Sequence, residues 1–183
     1  MAQITTKNGD QGMTQLNPDR IASKTHPVIW IMGEVDELSC ALGMDGGRFD
    51  AIQTFLSEIM GYLYYKTVDV SRVHAQIETL EEYISEHNNS IPPWFVNPRG
   101  AASLARAICR RAERRIVEFA ESERALIDEE RYMPLSDIAP MVQYFNRLSD
   151  YLFVKSFERG VAAQPALFND EMATTQLPLA AVA

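Results

Sequence analysis

The stretch Arg106-Ala107-Ile108-Cys109-Arg110-Arg111-Ala112-Glu113-Arg114-Arg115 decides how this chain is read. It has the composition of a helix, yet it is crowded with guanidinium groups. Arg106, Arg110 and Glu113 stand four and then three residues apart, so they share one helical face. Leu104, Ile108, Ala112, Ile116 and Phe119 form an apolar stripe on roughly the opposite side. Clustered arginines repel one another, so their grouping calls for a cause. A polyanionic ligand such as a nucleoside triphosphate is one cause, because the guanidinium fork matches phosphate oxygens. A solvated face whose charges pair locally is the other.

The same helical period runs through the neighbouring segments. Upstream, Val28, Ile31, Met32, Val35, Leu38 and Leu42 recur at helical spacing until Gly46-Gly47 interrupts them. A second helix is expected with Ile52, Phe55, Leu56, Ile59 and Leu63 on one face. A third carries Val73, Ile77, Leu80 and Ile84, and Asn88-Asn89-Ser90 followed by Pro92-Pro93 ends it. The arginine helix starts near Ala101. A fifth runs from about Ser136, a plausible N-cap, to Glu158, with Phe145, Leu148 and Leu152 inward. Strand-like alternation is nearly absent. The expected fold is therefore all-α, an up-and-down bundle of five helices. Residues 1–160 are expected to form this domain, with 1–24 as a polar, Gly/Thr/Asn-rich loop. Residues 161–183 show little periodicity and are expected to be a loosely ordered tail.

With 183 residues, 46% hydrophobic and 23% charged, the chain can build one sizeable core. A net charge of −8 argues against a general nucleic-acid binder, so the arginines are a local signal in an acidic protein. Cys40 and Cys109 fit no metal spacing and read as buried, reduced thiols of a cytoplasmic protein. Three histidines make a His-rich metal site unattractive. No apolar run reaches membrane-spanning length, and no secretory signal is evident.

Three further segments carry candidate chemistry. The loop Thr5-Thr6-Lys7-Asn8-Gly9-Asp10-Gln11-Gly12-Met13-Thr14 combines glycines with amides and hydroxyls suited to phosphate. It lacks the spacing of a Walker loop, and a simple turn is the plain alternative. Lys24 offers a cation downstream. Gly33-Glu34-Val35-Asp36-Glu37-Leu38 puts Asp36 beside an apolar stripe, where it either pairs with an arginine across a helix or subunit contact or faces solvent. In Asn146-Arg147-Leu148-Ser149-Asp150, Asn146 and Asp150 share a face with Arg147 beside it. Asparagine is mildly unfavourable inside a helix, which points to a ligand role or to a structural network. Between these, Trp94 and Phe95 in the Pro-rich crossing are either core or an apolar wall against a flat ligand.

Taken in order, these segments resemble one family, the ATP:cob(I)alamin adenosyltransferases of the propanediol-utilisation type. The resemblance rests on Thr6-Lys7-Asn8-Gly9-Asp10-Gln11-Gly12, Lys24, Val35-Asp36-Glu37-Leu38, Phe95-Val96-Asn97-Pro98-Arg99-Gly100, Arg106 to Arg114, and Asn146 to Phe153. It spans about residues 4 to 159, and the last two motifs are its specific ones. It implies a homotrimer with ATP at the subunit interfaces. It implies transfer of the 5′-deoxyadenosyl group of ATP to the cobalt of cobalamin, with release of triphosphate and with Mg²⁺ assisting. By the same resemblance, Thr6, Lys7, Asn8, Gly9, Thr14, Gln15 and Lys24 contact ATP, and Arg110, Glu113, Arg114 and Asn146 complete that site. Asp36 and Arg106 form an ion pair between subunits that organises catalysis around Arg110. Phe95, with Arg147 and Asp150 nearby, attends the corrinoid, Phe95 displacing the lower axial ligand of cobalt. A corrinoid reductase and a B12-dependent acceptor enzyme are the implied protein partners.

The sequence departs from the family pattern in places. Asn8 stands where threonine is usual, and Arg99 where the first glycine of Pro-Gly-Gly is usual. The Phe95–Arg106 segment is shorter than the family's and the stretch between Arg115 and Tyr144 is longer. A carrier or sensor on the same fold, binding nucleotide or corrinoid with reduced catalysis, is the alternative function.

Overall fold

The computed structural model describes residue 7 and residues 9–87, 97–98 and 100–160. Within them five helices account for most of the chain: α1 (Pro27–Gly43), α2 (Asp50–Tyr65), α3 (Val70–His87), α4 (Ala101–Arg124) and α5 (Leu135–Gly160). A two-stranded antiparallel hairpin precedes them, β1 (Met13–Asn17) and β2 (Arg20–Ser23). The helical expectation holds, and the expectation that residues 1–24 are loop is corrected by this hairpin. Its signal is weak in sequence because only Leu16, Asn17 and Ala22 turn inward.

Helix α4 packs along both α1 and α5, α3 packs on α5, and α2 packs on α1. The core face of α4 is Ala105, Cys109, Ala112, Ile116 and Phe119, a strict four-three alternation. Leu104 lies one residue, or about 100°, off that line and is 50% exposed, so its place in the expected stripe is corrected. The small side chains Ala105, Cys109 and Ala112 let α4 approach α5, and the Cys109 thiol reaches the Phe145 carbonyl at 3.3 Å. Burial pushes the Cys109 thiol pKa well up, so it stays protonated. Cys40 is exposed rather than buried, because it falls about opposite Leu38 and Leu42 on α1.

Local signals set the ends of the elements. Gly46 and Gly47 take φ of +63° and +88°, a turn open to glycine, and so close the run after α1. His26 caps α1, its Nδ1 accepting the Val28 N–H at 3.3 Å. Ser136 does not cap α5: the helix starts at Leu135, and the Pro134 carbonyl accepts the N–H groups of Asp137 and Ile138. The Pro-rich crossing with Trp94 and Phe95, the loop residues Thr6 and Asn8, Arg99 and the tail from 161 lie outside the described residues.

Candidate functional site

Helix α4 presents the five arginines of its 106–115 stretch in two sets with different partners. Arg111 is bound by two carboxylates of α1, Glu34 and Glu37. Arg115 pairs with Glu118 at 2.9 Å and lies over the Trp30 ring at 5.1 Å. These two fit the reading of locally paired charge. Arg106, Arg110 and Arg114 recur every four residues on another face, and among the described residues none of them meets a carboxylate within 4.0 Å. Arg106 instead covers the Phe153 ring at 4.7 Å. Burial lowers its pKa, and the adjacent Arg110 charge lowers it further. The Asp150 carboxylate opposes these two effects without reaching ion-pair distance of Arg106.

Arg110 and Arg114, with Glu113, Val117, Glu118 and Glu121, line an open groove of about 270 Å³. The Glu113 carboxylate is fixed from below: it accepts the Asn146 side-chain N–H at 3.0 Å. The Asn146 side-chain oxygen Oδ1 in turn accepts from Arg147 at 2.7 Å. Arg147 also pairs with Glu81 of α3 at 2.6 Å and stands 3.7 Å from Asp150. Of the two readings of mid-helix Asn146, the structural network is present, and it links Glu113 of α4, Asn146, Arg147 and Asp150 of α5, and Glu81 of α3.

The N-terminal candidates gather at a second place. The Gly12 carbonyl accepts the Lys24 N–H at 2.8 Å, which closes the base of the hairpin. A Cβ at Gly9 would stand 2.9 Å from Lys24 Nζ, so the glycine lets the lysine lie against the loop. Successive turns, Asp10 N–H to the Lys7 carbonyl and Gly12 N–H to that of Gly9, shape the loop, with Lys7 at φ +61°. Thr14 and Gln15 follow on β1, the Gln15 amide donating to the Asn17 carbonyl at 2.9 Å. Lys24 borders a depression of about 170 Å³ with Ile29, Trp30, Gly33, Glu34 and Glu37. The two concavities have no lining residue in common. Asp36 is exposed on α1 and is not paired with Arg106 inside the protomer.

Sequence reasoning missed three contributors. Glu34 is buried and anchors Arg111, although its i, i+3 partner Glu37 hints at a two-carboxylate clamp. Trp30, 47% exposed, gives the outer surface of α1 a large apolar group beside Arg115. Buried Glu123 accepts the Tyr132 N–H, a contact without sequence signature. Among the described residues there is no cluster of three or more His, Cys, Asp or Glu able to hold a metal ion.

The described residues form a five-helix bundle with a row of arginines along one face of α4, and comparison with known proteins narrows the class. The family model for cobalamin adenosyltransferase matches residues 4–158, and the chain belongs to that family. Its relatives include the corrinoid adenosyltransferase MMAB of Bos taurus, 30% identical over 177 residues that cover 82% of this chain and 68% of that protein. The cobalamin adenosyltransferase of Cupriavidus metallidurans is 30% identical over 171 residues, covering 84% and 86%. Among solved structures, a variant PduO-type ATP:corrinoid adenosyltransferase from Lactobacillus reuteri complexed with cobalamin and ATP superposes with a TM-score of 0.64. It is 29% identical and the match covers 84% of this chain and 89% of that one.

Proposed function

We propose that this protein transfers the 5′-deoxyadenosyl group of ATP to cob(I)alamin, giving adenosylcobalamin and triphosphate. The observation that carries the reading is the row Arg106, Arg110 and Arg114, none of which meets a carboxylate within 4.0 Å among the described residues, in a chain of this family. Both MgATP and cobalamin are substrates, and Mg²⁺ arrives on the nucleotide.

The reaction sets a simple task. Co(I) is already a strong nucleophile, so no side-chain base has to activate it. A Co–C bond forms at the ribose C5′ and the C5′–O bond breaks, the electron pair leaving with triphosphate. The protein's work is to align cobalt with C5′ and to stabilise the charge growing on the leaving group. Arg110 and Arg114 suit the second role, together with Lys7 and Lys24 of the loop. Thr6, Asn8, Gly9, Thr14 and Gln15 complete the nucleotide cradle. Glu113, held by Asn146, orients the nucleoside part.

A homotrimer with the site between subunits is part of the proposal. It is supported by the lack of a shared lining residue between the Lys24 depression and the Arg110 groove, and by Asp36 and Arg106 having no oppositely charged side chain within 4.0 Å among the described residues. A subunit contact would pair those two and bring the loop of one protomer over the α4 groove of the next. Phe95 would lie under the corrin and keep water and the tethered base off the lower face of cobalt, and Arg147 and Asp150 would also contact the corrinoid. Four-coordinate Co(II) is then more easily reduced to Co(I). Residues 1–160 act as the catalytic unit, in a cytoplasmic setting where ATP, a corrinoid reductase and an acceptor enzyme are at hand.

The test is anaerobic mixing with reduced cobalamin and MgATP. Formation of the Co–C bond with stoichiometric triphosphate supports the assignment. Tight nucleotide or corrinoid binding without product would favour the carrier or sensor on the same fold.

A further inference from the structure

The connection between α4 and α5, residues 125–134, is folded back against the body and not left as an open loop. Arg131 ties it to the end of α4, its Nε donating to the Glu123 carbonyl at 2.8 Å and an Nη2 to that of Leu126 at 2.9 Å. The buried Glu123 carboxylate accepts the backbone N–H of Tyr132. These bonds drive the Tyr132 side chain into the interior, where it is 7% exposed. Its hydroxyl donates to the Leu63 carbonyl at the end of α2, 2.8 Å away, and stands 3.5 Å from the Leu16 carbonyl of β1. Lys66 lies over its ring at 5.1 Å, and the ring of His26, the α1 cap, is 6.0 Å off. Burial raises the hydroxyl pKa, so it remains a donor at neutral pH.

Leu16 is next to Gln15 and two residues from Thr14. The hairpin has few other anchors, since only Leu16, Asn17 and Ala22 among its strand residues are buried. We propose that the 125–134 connection is a positioning device for the nucleotide loop, with Tyr132 as the residue that fixes β1, and through it Thr14, Gln15 and Lys24, relative to the helices. This rests on the ATP-binding reading of those residues. Tyr132 touches no substrate in this account; it acts through the strand.

The experiment is steady-state adenosylation by the full chain carrying Tyr132→Phe, which keeps the ring and removes the hydroxyl. Removing the hydroxyl takes away its bond to the Leu63 carbonyl and its 3.5 Å contact with the Leu16 carbonyl of β1, and is expected to raise KM for ATP about fivefold. The kcat at saturating MgATP should stay within about twofold, and KM for cob(I)alamin should not move. A purely structural role would lower Tm and the active fraction while leaving KM for ATP unchanged, and an unchanged KM in folded protein overturns the proposal. Arg131→Met loosens the connection without touching the hairpin and should shift KM for ATP in the same direction; it decides the matter if Tyr132→Phe does not fold. Wild-type protein that makes no adenosylcobalamin at all would overturn the parent reading and this one with it. Active wild type with indifferent variants overturns only the positioning role.

Discussion

Neighbouring arginines on α4 should respond to mutation in opposite ways, because one set is bound by carboxylates and the other is not. Arg110 is exposed and unpaired among the described residues, so Arg110→Ala removes no structural contact. It should lower kcat by about 100-fold, the scale for losing one electrostatic donor to a developing anion, with Tm nearly unchanged. Steady-state assay beside a thermal melt checks both halves. Arg111→Ala should do the reverse to stability. It strips the partner from buried Glu34, and because Arg111 itself is 41% exposed the cost should be only about 1–2 kcal/mol, a fall in Tm of about 2–8 °C. A melt that leaves Tm in place would show that water satisfies Glu34 without the arginine. The sequence displayed all these arginines but not their sorting. Four-residue spacing groups Arg106, Arg110 and Arg114; that α1 would bring Glu34 and Glu37 to Arg111 is a tertiary fact with no local sign.

At the scale of elements, α1 depends on a titratable cap. His26 Nδ1 accepts the Val28 N–H only when unprotonated. Its pKa lies below the ordinary 6.5, chiefly through burial and then the Arg20 charge, with Glu123 opposing. The unfolded chain therefore takes up this proton first as pH falls. Stability from the cap is complete above about pH 6.5, declines as pH drops below it, and levels off once the folded-state pKa is passed. His26→Asn keeps an acceptor but does not titrate. Melting both proteins from pH 7.5 down to 5 should show a step in wild type that the variant lacks; parallel curves would mean that the cap does not sense pH. The helices themselves were legible because their apolar residues repeat over four or more turns. The hairpin was not, since five-residue β1 buries only its last two residues and offers little alternation to read. The α5 start was misplaced for a related reason: Ser136 is a good capping residue by type, but the Pro134 carbonyl already serves the first turn.

Across the whole molecule, the proposed site draws on two neighbouring subunits. The loop around Lys24 and the groove at Arg110 are separate concavities of one protomer, and Asp36 and Arg106 each lack an internal carboxylate or guanidinium partner among the described residues. Asp36→Arg should therefore weaken self-association, seen as a lower sedimentation coefficient at micromolar concentration. Adding Arg106→Asp should restore part of it, because the charges are exchanged and not lost. A trimer indifferent to both changes would place the subunit contact elsewhere. The central claim is the reaction itself. Purified protein mixed anaerobically with chemically reduced cob(I)alamin and MgATP, followed by absorbance, tests it most directly. The account predicts rapid conversion to adenosylcobalamin that needs ATP and yields one triphosphate per Co–C bond. ATP bound at the site with cob(I)alamin left unchanged would contradict it.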